Sequence, residues 1–291
     1  MFSIEAMNGQ WSSAVVKRLM LSLVSVAALV LMTAQSHAEA WVTAYYDFEG
    51  SGADRFDDPV GSFEDNLLGG TKSAIIYNST PGSFAGTNAV YFDVSYKIYT
   101  DAYTTDLGPN SNAFNVMFWI KAADTNQDNY NIRLMSKLKL PNNSNTGVNT
   151  WQVEGFGNDG SNGDAMNIRI TDPVPGSWYV PPAIDALANL GETEQWRHVA
   201  YVVSNTNHPI DGGAYAKTFV GGVQQGATQD PGPAWDGYNI ANQTGQLIIG
   251  GDSEINTTRD FTGLLDDIAL FDGVVSDADI AAIAAGTKSP G

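Results

Sequence analysis

The chain has 291 residues, no cysteine, and 14 Lys or Arg against 32 Asp or Glu, a formal charge of −18. That excess of negative charge argues against nucleic acid or an anionic lipid surface as partner. The missing cysteines exclude disulfides, lipid-modified cysteine, thiolate nucleophiles and cysteine-based zinc sites.

The first 38 residues are expected to be an export signal. Lys17 and Arg18 precede an uncharged run from Leu19 to Met32, and Ser36-His37-Ala38 supplies a small-residue cleavage context. Cleavage after Ala38 or after Ala40 both fit, and Leu19 to Ala38 is also just long enough to act as an uncleaved anchor. Later stretches are too polar to span a bilayer, so no stable membrane insertion is expected after cleavage. The expected location is extracellular, or periplasmic if the protein is retained. Cleavage leaves 12 basic against 31 acidic residues, a charge of −19. The remaining chain, about 250 residues, must be stabilised by core burial, a size that suits one domain over 41–285 with a tail at 286–291.

Period-two alternation begins at once: Val42, Ala44, Tyr46 and Phe48 alternate with Thr43, Tyr45, Asp47 and Glu49, the pattern of a half-buried strand. Further strands are expected over Ala89 to Ile98, Phe114 to Lys121, Ile132 to Leu140, Thr150 to Phe156 and Met166 to Ile170. Others are expected over Trp196 to Ser204, Ala214 to Val220, Leu247 to Gly250 and Phe261 to Phe271. Turn clusters such as Asn158-Asp159-Gly160-Ser161 separate them, and helical periodicity is nearly absent. An all-β sandwich satisfies this pattern.

The last strand is the most informative. Its sequence, Phe261 to Ile283, reads FTGLLDDIALFDGVVSDADIAAI and sets two adjacent carboxylates in a strand that is apolar on both faces. Alternation groups Leu264, Ile268 and Leu270 with Asp266, and Leu265, Ala269 and Phe271 with Asp267, so one aspartate is expected to point inward. A buried carboxylate there needs a cation or several donors. Ser276, followed three residues later by Asp279, reads as a capping box that opens a short helix from Asp277 to Ala285.

This strand, turn and helix resemble the C-terminal signature of the laminin-G-like, concanavalin-A-like jelly-roll superfamily, in which a Gly-x-x-Asp-Asp/Glu strand leads to a turn and a short helix. Six earlier segments are similar to family segments in the same order. They are Tyr45-Tyr46-Asp47-Phe48-Glu49-Gly50, Asn88-Ala89-Val90-Tyr91-Phe92-Asp93, Phe114 to Lys121 (FNVMFWIK), Trp196 to Val203 (WRHVAYVV), Phe219-Val220-Gly221-Gly222-Val223, and Leu247-Ile248-Ile249-Gly250-Gly251. The resemblance implies an all-β, antiparallel two-sheet jelly-roll sandwich with a short C-terminal helix. It does not fix the activity, because the fold hosts lectins, adhesion modules, glycanases and lyases.

The resemblance also implies Ca2+. A common site of the superfamily joins an acidic loop near the N-terminus to the aspartate of the last strand. Here Asp47, Glu49, Asp57 and Asp58, with Asp54, would face Asp266 or Asp267. A hard cation taking about six to eight oxygens would relieve the buried carboxylate. The other reading is that these acids cap turns or pair with Arg55 and Arg259. Asp124 to Asp128 imitates an EF-hand but has Asn129 where the glycine belongs and Met135 where the glutamate belongs.

Sugar recognition needs aromatic planes and planar hydrogen-bonding groups on loops of a rigid scaffold. Thr171 to Leu187 carries Trp178 and Tyr179 among four prolines, and Gln225 to Gly245 carries Trp235, Tyr238 and Asn239. The same aromatics would also serve to anchor their own loops. Trp119, Trp151 and Trp196 fall within strands and read as core. Catalysis is poorly supplied: the Glu-x-Asp-x-Glu spacing of retaining glycanases on this fold is missing, Glu192 and Glu194 sit in a loop, and His198 lies inside a strand as a structural histidine. The expectation is an exported, calcium-stabilised, non-catalytic module that binds carbohydrate on a cell surface or matrix. An extracellular protein partner is the alternative, and a glycan hydrolase or lyase of unrecognised design the third reading.

Overall fold

A computed structural model describes residues 40–48, 65–68, 76–78, 88–92, 97–100, 113–122, 132–138, 149–155, 166–171, 178–179, 196–206, 213–229, 246–251 and 261–290. All belong to one compact unit, Ala38–Gly291. Among the described residues two antiparallel sheets carry the fold. The larger runs β13 (Val223–Gln229), β12 (Tyr215–Val220), β11 (Arg197–Ser204), β6 (Ala113–Ala122), β15 (Gly263–Asp272), β4 (Asn88–Phe92) and β3 (Ile76–Asn78), with β1 (Trp41–Tyr46) also paired to β15. The smaller runs β10 (Trp178–Tyr179), β9 (Met166–Thr171), β8 (Asn149–Gly155), β7 (Ile132–Leu138), β14 (Gln246–Ile249), β5 (Lys97–Thr100) and β2 (Asp65–Leu68).

Alternation places the core between the sheets. Phe114, Val116, Phe118 and Ile120 of β6 join Val199, Tyr201 and Val203 of β11 and Leu265, Ile268 and Leu270 of β15. Facing them are Met135, Trp151, Val153, Ile168, Leu247 and Ile249 of the smaller sheet, with Trp151 and Phe114 at a ring separation of 5.7 Å. The expected strand from Ala89 to Ile98 is two strands in different sheets. Val90, Phe92 and Ile98 keep one phase throughout, so alternation gives no sign of the change of sheet. β13 (VQQGATQ) has a single large apolar residue, Val223, and that is exposed, so it carries no strand signal.

One end of the larger sheet's outer face is sealed by α1 (Asp277–Ala284), whose Ile280 and Ile283 pack on Met117, Ala200, Val202, Phe219, Ala269 and Phe271. The helix starts as expected, with the Ser276 Oγ accepting from the Asp279 N–H at 3.1 Å. Lys217 of β12 reaches Asp277 at 2.9 Å. Gly222, in the β12–β13 turn, has φ +78° and stands so close to the helix that a Cβ would lie 2.8 Å from the Ala281 Cα, so only glycine fits both demands. Beyond the helix, Thr287 bonds back to the Ala282 carbonyl, Lys288 pairs with Asp279 at 2.7 Å, and Pro290 is buried.

Candidate functional site

Two strands share one edge of β15. β4 pairs with Gly263, Leu264 and Leu265, whereas β1 pairs with Ile268 to Asp272. Asp266 and Asp267 stand where the two diverge. On the opposite edge Asp266 pairs with Trp119 and Ala269 with Met117, so β15 carries one residue more than β6 between these points. This is a β-bulge, and Asp267 takes φ +47°, a left-handed conformation that aspartate tolerates better than most residues.

The bulge overturns the simple alternation. Leu265 and Ile268, not Leu264 and Ile268, share the core face, while Ala269 and Phe271 lie on the helix side. Asp266 falls in the outer row with Trp119, and Asp267 is turned to the hydroxyl of Tyr45, a member of the helix-side cluster. The inward aspartate expected from strict alternation is therefore not found. The extra residue resets the phase, and both carboxylates are buried outside the inter-sheet core.

The pair is held tightly. The Tyr45 hydroxyl donates to Asp267 Oδ1 at 2.6 Å, and the Asp267 N–H donates to Asp266 Oδ1 at 2.8 Å. Burial drives the Tyr45 phenol far above its ordinary range, and the charges of Asp267, Asp47 and Asp266 push in the same direction. Tyr45 is thus a fixed neutral donor, and Asp47 is near enough for its charge to be felt at the same hydroxyl. Phe48, the next residue, has φ +55° and is fully buried. Phe48 and Asp267 are the two non-glycine residues with positive φ among the described residues, and both adjoin this fork. Such strain persists only where the surroundings over-determine it.

The donor set is oxygen-only and anionic, which suits a hard divalent cation. Among the described residues, no group of three acidic or histidine side chains is gathered closely enough to hold a metal. Of the acids expected to face β15, Asp47 directly follows β1, whereas Glu49, Asp57 and Asp58 lie outside the described residues. Of the expected sugar-binding residues, Trp178 and Tyr179 form β10, the outermost strand of the smaller sheet, in register with Thr171 and Ile170. Trp235, Tyr238 and Asn239 lie outside the described residues.

Two polar constellations escaped the sequence reading. Trp119 was expected in the core, yet it is half-buried on the outer face of the larger sheet, edge-on to His198 at 5.5 Å. Its phase was legible, because Asn115, Met117, Trp119 and Lys121 alternate with the core residues Phe114, Val116, Phe118 and Ile120. His198 is 1% exposed, and burial lowers its pKa to about 4, so it is neutral at pH 7. On β8, fully buried Gln152 and Glu154 alternate with Trp151 and Val153, and Gln152 Nε2 donates to Glu154 Oε2 at 2.5 Å. Burial raises the Tyr201 phenol, with the Glu154 charge adding to it. No helix among the described residues is long and apolar enough to cross a membrane.

The chain matches the family model of the concanavalin A-like lectin/glucanases superfamily over residues 95–281, more than half its length. No curated protein matches it in sequence. Several solved structures share its architecture. Domain 4 of AbnA, a GH43 extracellular arabinanase from Geobacillus stearothermophilus, in complex with arabinotriose, is 18% identical with a TM-score of 0.54, covering 84% of this chain and 99% of that one. A structure of botulinum neurotoxin type C, described through its dependence on two ganglioside molecules for cell entry, is 12% identical with a TM-score of 0.54, covering 85% and 51%. Trypanosoma rangeli sialidase in complex with 2,3-difluorosialic acid is 9% identical with a TM-score of 0.51, covering 85% and 33%. The chain therefore spans nearly all of the arabinanase domain, about half of the neurotoxin chain and a third of the sialidase, and at these identities the likeness is one of fold. Two antiparallel sheets, a capped C-terminal helix and the family match together establish that the chain belongs to the concanavalin A-like lectin/glucanases superfamily.

Proposed function

We propose that this protein is an exported, non-catalytic carbohydrate-binding module whose strand fork holds calcium. The observation that carries the ion is the buried Asp266–Asp267 pair at the bulge, with Asp47 beside it. Two adjacent carboxylates taken out of water call for compensating positive charge. Asp266, Asp267 and Asp47 are not by themselves gathered closely enough to hold a metal, so calcium would be held at this pair by donors from the acidic segment, Glu49, Asp57 and Asp58, and would fix the divergence of β1 from β4. Carbohydrate as ligand is supported by the similar folds, among them an arabinanase domain with bound arabinotriose and a toxin whose cell entry depends on gangliosides. Binding without catalysis is supported by the engagement of Asp267 with Tyr45 and of Asp266 with the next backbone N–H, which leaves this pair poorly placed for acid–base work.

An array of glycans and polysaccharides probed with the whole chain, in calcium and again in chelator, with product analysis on every hit, tests this reading. Calcium-dependent capture without released oligosaccharide is expected. Released product would make the protein an enzyme and direct attention to Glu154. A blank array would leave a protein partner as the better reading.

A further inference from the structure

We propose that the open half of the larger sheet's outer face binds an anionic sugar, with Trp119 as the stacking plane and Lys121 as the counter-charge. The inference rests on the carbohydrate-binding reading and goes further by naming a face and a ligand class. Trp119 and Lys121 are two residues apart on β6 and share its outer face. His198 lies opposite Trp119 on β11, and Asp266 lies opposite it on β15, so one cross-strand row reads His198, Trp119, Asp266.

Three features mark this row as a built site. First, Trp119 is only half-buried, whereas Met117, two residues earlier on the same face, is sealed under α1. Second, His198 is 1% exposed, yet neither ring nitrogen has a hydrogen-bond partner. A buried imidazole without partners is costly, and such groups call for an explanation of their own. A hydroxyl or carboxylate oxygen entering over Trp119 would give its N–H the acceptor that the fold does not. Third, the side chain of Lys121 has no ion pair or hydrogen bond among the described residues, although the chain carries a net charge of −18. Lys217 and Lys288 show the usual outcome in so acidic a protein, each being paired with an aspartate. Asp266, the carboxylate of this row, is fully buried and accepts from the Asp267 N–H. A flat aromatic plane beside an unspent cation fits a pyranose ring that carries a carboxylate or a sulfate.

The test is calorimetric titration of the whole chain with hexagalacturonate, a heparin-derived hexasaccharide and neutral cellohexaose, each at low and moderate salt. Binding of one or both anionic hexamers in preference to cellohexaose is expected, and which of them binds tells whether carboxylate or sulfate is the group read. Lys121→Gln should weaken that binding about tenfold, the loss of one charge-assisted contact, and should flatten its salt dependence. Trp119→Phe, which keeps an aromatic ring in case Trp119→Ala does not fold, should weaken it less than Trp119→Ala. Equal affinity for cellohexaose, or unchanged affinity in Lys121→Gln with an unchanged melting temperature, would overturn this inference and leave the carbohydrate reading standing. Failure of all three sugars to bind would overturn this inference, and a blank glycan array alongside would remove the broader reading as well.

Discussion

On the outer face of the eight-stranded sheet, a step of two residues along β6 and β11, and of three along the bulged β15, separates a closed surface from an open one. Under α1 lie Met117, Ala200 and Ala269, and the next row along the same strands holds Trp119, His198 and Asp266. The backbone pairing continues unbroken from β11 to β6 across both rows, so register does not distinguish them. The side chains do. Small and apolar groups leave a shallow bed for Ile280 and Ile283, while an indole, an imidazole and a carboxylate present bulk and polarity that a short apolar helix cannot cover. The bulge at Asp266–Asp267 falls at the boundary, and there the strand spends conformational strain where it could have spent regular pairing.

Substitutions should separate the two halves in order of size. Phe271→Ala, beneath the helix, should cost about 3–5 kcal/mol by urea unfolding, since it deletes a large buried ring and leaves a cavity. Leu264→Ala on the half-buried open side should cost clearly less, and equal costs would dissolve the distinction. His198 provides the next largest effect. Its pKa of about 4 in the fold lies below the unburied value of 6.5, so between these values the unfolded chain binds the extra proton. Stability contributed by the neutral imidazole is complete above about pH 6.5 and is lost as the pH falls towards 4, a total of about 3 kcal/mol. Comparing unfolding at pH 7 and pH 4.5 should show this loss in the wild type and a smaller one in His198→Leu. The smallest effect should come from the closed half's cap: Ser276→Ala removes the acceptor of the Asp279 N–H and should cost about 1 kcal/mol. A loss much above this would mean that the cap also orders the segment leading out of β15.

Much of the fold could be read from the sequence because its signals are local. Alternation located β6, β11, β12 and β15, and Ser276 with Asp279 located the start of α1. What could not be read depends on pairing between distant residues. β2, β3 and β10 are two to four residues long, and their partners, not their composition, define them as strands. The carboxylate pair was legible as an anomaly, but its orientation was not, because a bulge is a property of two strands and only one was visible in the motif. Trp119 teaches the reverse. Its phase was present in FNVMFWIK, and a large aromatic side chain outweighed that phase in favour of the core.

The central claim, that the strand fork is a calcium site on which the module's fold depends, is tested most directly by melting the whole chain in millimolar calcium and in chelator. The same scans should be run on Asp266→Asn and Asp267→Asn. A ligand held at about 100 times its dissociation constant adds about 2.7 kcal/mol of stability, so the wild type should melt several degrees higher in calcium, and at least one of the variants should lose that rise. Identical wild-type melting in calcium and in chelator would contradict the account.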